Sequence, residues 1–226
     1  MSNIYLSPSN QNRNIGYGTY GTEQDRMHQI GEATKRILER CNQTTYISHK
    51  SMTFQQAVAE SNKLKCNVHI AIHSNAFNKE VRGTQTMYVS SNGFKLSNAI
   101  YKRLEAFTPT PDGGCRKNDN LYELNNTVAV AAYLEIAFHD NLLDATLIMN
   151  NIEKIAEIIA RGVCEYLKVP FVEKEVVKEV DKNTNVIAPT GHYYKIQVGA
   201  FSNKSYADAE AARINKLGVK AFVTLV

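Results

Sequence analysis

The sequence predicts an α/β fold, a mostly parallel and twisted sheet flanked by helices, followed by a small C-terminal βαβ unit. From the start to about Pro170, short β-rich runs alternate with stretches of helical periodicity, the mark of crossover connections between parallel strands. After Val169 the text becomes charged and offers no core face, as in Glu173-Lys174-Glu175-Val176-Val177-Lys178-Glu179, which reads as a linker. One strand–helix–strand pattern then ends the chain. The expected boundaries are 1–169 for the main domain, 170–190 for the linker and 191–226 for the small unit.

Each element has its own signal. Ile4 to Leu6 reads as the first strand. Glu23 to Arg40 places Met27, Ile30, Ile37 and Leu38 on roughly one helical face, with Thr22 positioned to cap the start and Glu23 in the first turn. A strand at Thr45 to Ser48, a helix at Phe54 to Leu64 and an apolar β-branched strand at Asn67 to Ile72 follow, the last running into His73-Ser74-Asn75. Thr84 to Val89 is a further strand and Gly93 to Phe107 a helix. Val128 to Phe138 is a long apolar strand interrupted by Glu135, and one helix from Leu142 to Leu167 closes the domain. In the tail, Tyr193 to Val198 and Val219 to Val226 read as strands around a helix at Ser205 to Leu217. A unit of about 35 residues is too small to bury a core alone.

Composition bounds the function only loosely. A chain of 226 residues holds one large domain or one medium domain with an appendage, and a hydrophobic share of 43% excludes a wholly disordered chain. The net charge of +4 suits an anionic polymer such as bacterial wall or nucleic acid, and equally a plain solvated surface. The four cysteines form no Cys-x-x-Cys pair, which argues against a zinc ribbon or a redox motif and for buried thiols. The start lacks a basic region followed by a long apolar one, and no run reaches the roughly 18 apolar residues of a membrane span. No secretion route, membrane partner or nucleic-acid partner is therefore expected. A nucleotide-binding reading is disfavoured, because no Gly-x-Gly-x-x-Gly follows the first strand.

Two residues carry the chemistry. His73 stands at the C-terminal end of a buried strand, where open parallel sheets place their ligands. A structural histidine would also fit there. Glu135, in Ala-Ala-Tyr-Leu-Glu-Ile-Ala-Phe, is costly to bury unpaired and calls for a metal, a cation or a raised pKa. An acid and a strand-end histidine in one α/β domain suggest metal-assisted hydrolysis.

The segment Val68-His69-Ile70-Ala71-Ile72-His73-Ser74-Asn75-Ala76 closely resembles the zinc-binding strand of the amidase-3 family of N-acetylmuramoyl-L-alanine amidases. Tyr133-Leu134-Glu135-Ile136-Ala137-Phe138-His139-Asp140-Asn141 resembles its catalytic-glutamate strand, and Gly21-Thr22-Glu23 resembles the segment that supplies a glutamate ligand. The order and spacing match over about residues 1–168. The resemblance implies that Glu23 and His73 bind Zn2+, which activates a water and polarises the amide carbonyl. It also implies that Glu135 passes the water's proton to the leaving amine. The implied substrate is peptidoglycan, cut between N-acetylmuramic acid and L-alanine.

One departure matters. The family's first strand ends in an Asp-Pro-Gly-His motif whose histidine is the remaining ligand, whereas this chain has Ser7-Pro8-Ser9-Asn10-Gln11. His69 and His73, four apart in an extended strand, lie about 13 Å from each other and cannot share a metal. His28 follows Glu23 by five residues and points roughly 140° away on a regular helix. His139 is the expected replacement, because the loop after the strand can fold back across the site, with His28 as the alternative. Arg116, in a loop before a strand, could meet the substrate's carboxylates, although a solvated basic loop reads the same way.

The tail segment Tyr194-Lys195-Ile196-Gln197-Val198-Gly199-Ala200-Phe201-Ser202 resembles the first half of the SPOR peptidoglycan-binding repeat. A half-repeat suggests wall binding, or a homodimer in which a second copy completes it. The expectation is a wall hydrolase, an endolysin or autolysin, held in the cytoplasm until released to the wall. The alternative is a non-catalytic peptidoglycan-binding protein that keeps the amidase scaffold.

Overall fold

The structure is a computed structural model that describes residues 1–108, 113–174, 204–216 and 223. The chain divides into two compact units, Met1–Lys174 and Glu175–Val226. The first unit runs β1 (Asn3–Pro8), α1 (Glu23–Arg40), β2 (Thr44–Ile47), α2 (Phe54–Lys63), β3 (Val68–Asn75), β4 (Gln85–Tyr88), α3 (Ser91–Phe107), β5 (Gly114–Lys117), α4 (Tyr122–Asn126), β6 (Val130–Phe138), α5 (Leu142–Asn150) and α6 (Ile152–Leu167). The six strands form one sheet in the order β2-β1-β3-β6-β4-β5. Every neighbouring pair is parallel except β4 with β6.

Alternation along the central strands gives the sheet two unlike faces. Ile4 and Leu6 of β1, Val68, Ile70 and Ile72 of β3, and Leu134 and Ile136 of β6 are fully buried in the main core, which Met27 and Ile30 of α1, Leu96 and Ile100 of α3, and Ile155 and Ile159 of α6 complete. The other face carries Tyr5 and Ser7, then His69, Ala71 and His73, then Tyr133 and Glu135. The register aligns these as rows, Tyr5 beside His69, Ser7 beside Ala71 beside Tyr133, and His73 beside Glu135. Ala57 of α2 packs on Tyr5, and Leu124 of α4 packs near Met87 and Ala131, so this polar face is only partly covered.

Local chemistry places the elements that matter. The Thr22 side chain accepts from the Asp25 N–H and starts α1, which fixes Glu23 in its first turn. Thr53 and Gln56 form a reciprocal capping box on α2. The single closing helix expected over 142–167 is two helices, broken at Asn151, whose side chain bonds the Leu147 carbonyl and competes with the backbone ladder. The turn α4 was not foreseen, and Arg116 belongs to edge strand β5 rather than to a loop.

In the second unit, α7 spans Lys204–Lys216, close to the expected helix. The expected linker from Glu175 onward, the strand at 193–198 and all of the strand at 219–226 but Val223 lie outside the described residues. No described helix is long and apolar enough to cross a membrane.

Candidate active site

The polar face ends at a cleft of about 350 Å³ walled by Ser7, Gln11, Phe54, Tyr122, Glu123 and His73, among others. His73 is the hub. Its Nδ1 lies 3.0 Å from Glu23 Oε1, and its Nε2 lies 3.7 Å from Glu123 Oε2. Tyr133 stacks on the ring with centroids 4.4 Å apart. Burial alone would lower the pKa of His73, but the hydrogen bonds and charges of Glu123, Glu23 and Glu135 outweigh it and push the imidazole up to about 9.

The three carboxylates differ in their surroundings. Burial would raise Glu23, yet His73, Asn14 and Ser9 hold it below the ordinary value. Its Oε2 accepts from Asn14 and its Oε1 faces His73. Burial would likewise raise Glu123, but His69 and His73 bring it down to about 2. Glu135 is the opposite case. Burial raises it to about 7, with the charge of His73 pulling down and that of Glu23 pushing up, and its Oε2 is buried with no hydrogen-bond partner among the described residues. A carboxyl poised near neutrality beside a cationic centre suits a general base.

The expected site residues separate at this point. The structure brings Glu23, His73 and Glu135 together. His139 is buried one step behind them, its Nδ1 2.9 Å from Ser74 Oγ and 3.0 Å from the Ser74 carbonyl oxygen, its ring stacked on Tyr20. Ser74 takes one nitrogen of this ring, Nδ1. His28 sits on a regular α1 and lines a different cavity, together with His49 and Lys50; burial lowers its pKa to about 4. Arg116 is exposed on the outer strand β5 and is not among the residues of the cleft wall. No group of three or more His, Cys, Asp or Glu side chains able to hold a metal forms among the described residues.

Glu123 escaped the sequence reading. It is a lone acid in Leu121-Tyr122-Glu123-Leu124 on a helix of five residues, where no periodicity marks it. Its partners are Ser7 Oγ at 2.6 Å and His69 Nε2 at 3.2 Å. His69 and His73 are too far apart along the strand to share a metal, yet the Glu123 carboxylate stands between their two rings. The usable signal was the polar alternation of His69, Ala71 and His73 in an otherwise apolar strand.

A histidine gripped by carboxylates stands at the C-terminal rim of a mostly parallel sheet with a raised-pKa acid beside it, an arrangement able to do acid–base chemistry in an α/β fold. Residues 6–165 match the N-acetylmuramoyl-L-alanine amidase family, and the chain belongs to that family. Residues 190–226 match the SPOR domain. Among curated proteins, an uncharacterized cell wall amidase of Bacillus anthracis is 30% identical over 116 residues, 46% of this chain; the match spans only 22% of that relative. The catalytic domain of the amidase CwlV from Paenibacillus polymyxa superposes with a TM-score of 0.69 at 23% identity, covering 75% of this chain and all of that one, 100%. The amidase AmiC2 of Nostoc punctiforme gives 0.67 at 21% identity, covering 74% and 97%. The catalytic domain of the CD27L endolysin gives 0.64 at 18%, covering 73% and 98%. At these identities the solved structures establish the fold.

Proposed function

We propose that this chain is a zinc-dependent N-acetylmuramoyl-L-alanine amidase that hydrolyses the amide between N-acetylmuramic acid and L-alanine in peptidoglycan. It would act as an endolysin or autolysin according to how it reaches the wall. The observation that carries the reading is the convergence of Glu23, His73 and Glu135 on one strand-end rim within the family's fold. The donor types suit zinc, an imidazole nitrogen and a carboxylate oxygen brought together from different elements, although here the two are hydrogen-bonded to each other at 3.0 Å. A zinc ion held by Glu23 and His73 supplies Lewis acidity toward the amide carbonyl and acidifies a water near neutral pH.

The chain's own residues do the rest. Glu135 takes the water's proton and delivers it to the departing alanine nitrogen, a transfer its pKa of about 7 favours in both directions. Tyr133 holds the His73 ring by stacking, and the cleft beside it receives the substrate. The SPOR match at 190–226 supports a wall-directed role for the tail.

A second reading, a wall-binding protein without catalysis, draws on the missing first-strand histidine and on the absence of a third metal-binding side chain among the described residues. Incubating the full chain with purified peptidoglycan separates the two. The amidase reading expects new alanine amino termini without new reducing sugar ends, abolished by chelation and restored by zinc. Sedimentation with the wall and no new amino termini would leave only the binder.

A further inference from the structure

We propose that Glu123 is a positioning residue of this site, and that with His69 it fixes the His73 ring so that Nδ1, and not Nε2, faces Glu23 and the metal. The inference rests on the reading that Glu23 and His73 hold that metal. It starts from an imbalance. Glu23, Glu123 and Glu135 crowd around one imidazole, and bringing a third carboxylate into a buried centre is unfavourable unless it is paired. Glu123 is nonetheless only 4% exposed.

Its surroundings show what holds it there. Ser7 Oγ and His69 Nε2 both bond Glu123 Oε1, at 2.6 and 3.2 Å, which leaves Oε2 turned toward His73 Nε2 at 3.7 Å. His69 is fully buried and stacks on Tyr5, with centroids 5.4 Å apart and rings 7° from parallel. Its Nδ1 has no hydrogen-bond partner among the described residues. Nε2 is therefore the ring atom through which His69 meets Glu123, in the ring's one polar bond among the described residues.

The consequence follows from the shape of imidazole. The two nitrogens point to opposite edges of the ring, so only one can face Glu23, and the group at the other edge sets the tautomer. Glu123 at the Nε2 edge and Glu23 at the Nδ1 edge hold the ring from both sides, so a metal that takes the place of the Nδ1–Glu23 hydrogen bond meets a ring already anchored at its other edge. Tyr133 closes the face of the ring, so Glu23, Glu123 and Tyr133 together leave His73 one orientation. Removing such an outer partner ordinarily weakens metal affinity by roughly 10–100-fold.

The test uses the full chain with zinc as the probe, comparing wild type with Glu123→Gln, His69→Gln and, as the ligand-loss control, Glu23→Gln. Thermal melts establish folding, competition with a chromophoric chelator gives zinc affinity, and ring ¹⁵N shifts of labelled histidine report which nitrogen of His73 carries metal and which carries a proton. The expected result for Glu123→Gln is a folded protein, zinc bound roughly 10–100-fold more weakly, and loss of the single pattern of metal on Nδ1 and proton on Nε2. His69→Gln should move both readouts in the same direction by less, and it serves as the test should Glu123→Gln fail to fold. Unchanged affinity and an unchanged ring pattern would overturn the proposal, as would a loss in Glu123→Gln as complete as in Glu23→Gln, which would make Glu123 a ligand. If wild type takes up no zinc, the metal reading fails by itself. The metal-free spectrum then decides on Glu123, through a protected His73 Nε2–H that is present in wild type and lost in Glu123→Gln, or else unaffected by the substitution.

Discussion

At the scale of single residues, the proposed function turns on His73 and Glu135, which stand side by side in register on β3 and β6. His73 has a folded pKa of about 9 against an ordinary 6.5, so it binds a proton more tightly when folded. In metal-free protein that contribution to stability is fully present below pH 6.5 and is lost as pH rises through about 9. Urea midpoints with chelator present should therefore fall over this window in wild type and much less in His73→Gln; parallel slopes would contradict the charge assigned to the ring. Glu135→Gln should fold and bind zinc as wild type does, while turning over peptidoglycan at least roughly 100-fold more slowly, because it removes the base and keeps both ligands. Near-normal turnover would remove Glu135 from the mechanism. His73 and Glu135 were legible in the sequence because each is a polar residue in an apolar strand. Glu123 was not, because its partners Ser7 and His69 lie 116 and 54 residues away.

Among the elements, regular ones were readable and irregular ones were not. The Thr22 cap, the apolar face of α1 and the strand β3 follow from local pattern. The break at Asn151 and the turn α4 depend on local hydrogen bonds that periodicity does not encode. His139 shows the limit most clearly: the contacts of its ring with Ser74 and Tyr20 are tertiary and have no signal in the local sequence. Tertiary packing also makes Gly162 of α6 specific. A Cβ there would lie 2.6 Å from Ile100 Cγ1 and 2.8 Å from its Cα, so α3 and α6 can approach only across a glycine. Helix propensity favours alanine by about 1 kcal/mol, whereas overpacking against backbone costs about 1–3 kcal/mol. Gly162→Ala should lower unfolding stability by up to roughly 2 kcal/mol in urea titration, the overpacking cost less the propensity gain; a gain would show that the helices can part.

For the molecule as a whole, the proposed reading of a wall enzyme with a wall-directed tail rests on the amidase-family match at 6–165 and the SPOR match at 190–226. We propose that the tail pairs two copies about a two-fold axis, since two linked wall-directed domains would gain effective concentration on a polymer. Light scattering should then give a dimer for the full chain and a monomer for a version ending at Lys174. Equal states would exclude assembly through the tail. The central claim concerns the bond that is cut and the nucleophile that cuts it, and running the reaction on peptidoglycan in ¹⁸O-labelled water reads both. Hydrolysis at this site should place one ¹⁸O in the new lactyl carboxylate of the muramic acid and release an unlabelled alanine amino terminus, with the label lost in Glu135→Gln. Label on a sugar carbon, label within the peptide stem, or none in wild-type product would contradict the account.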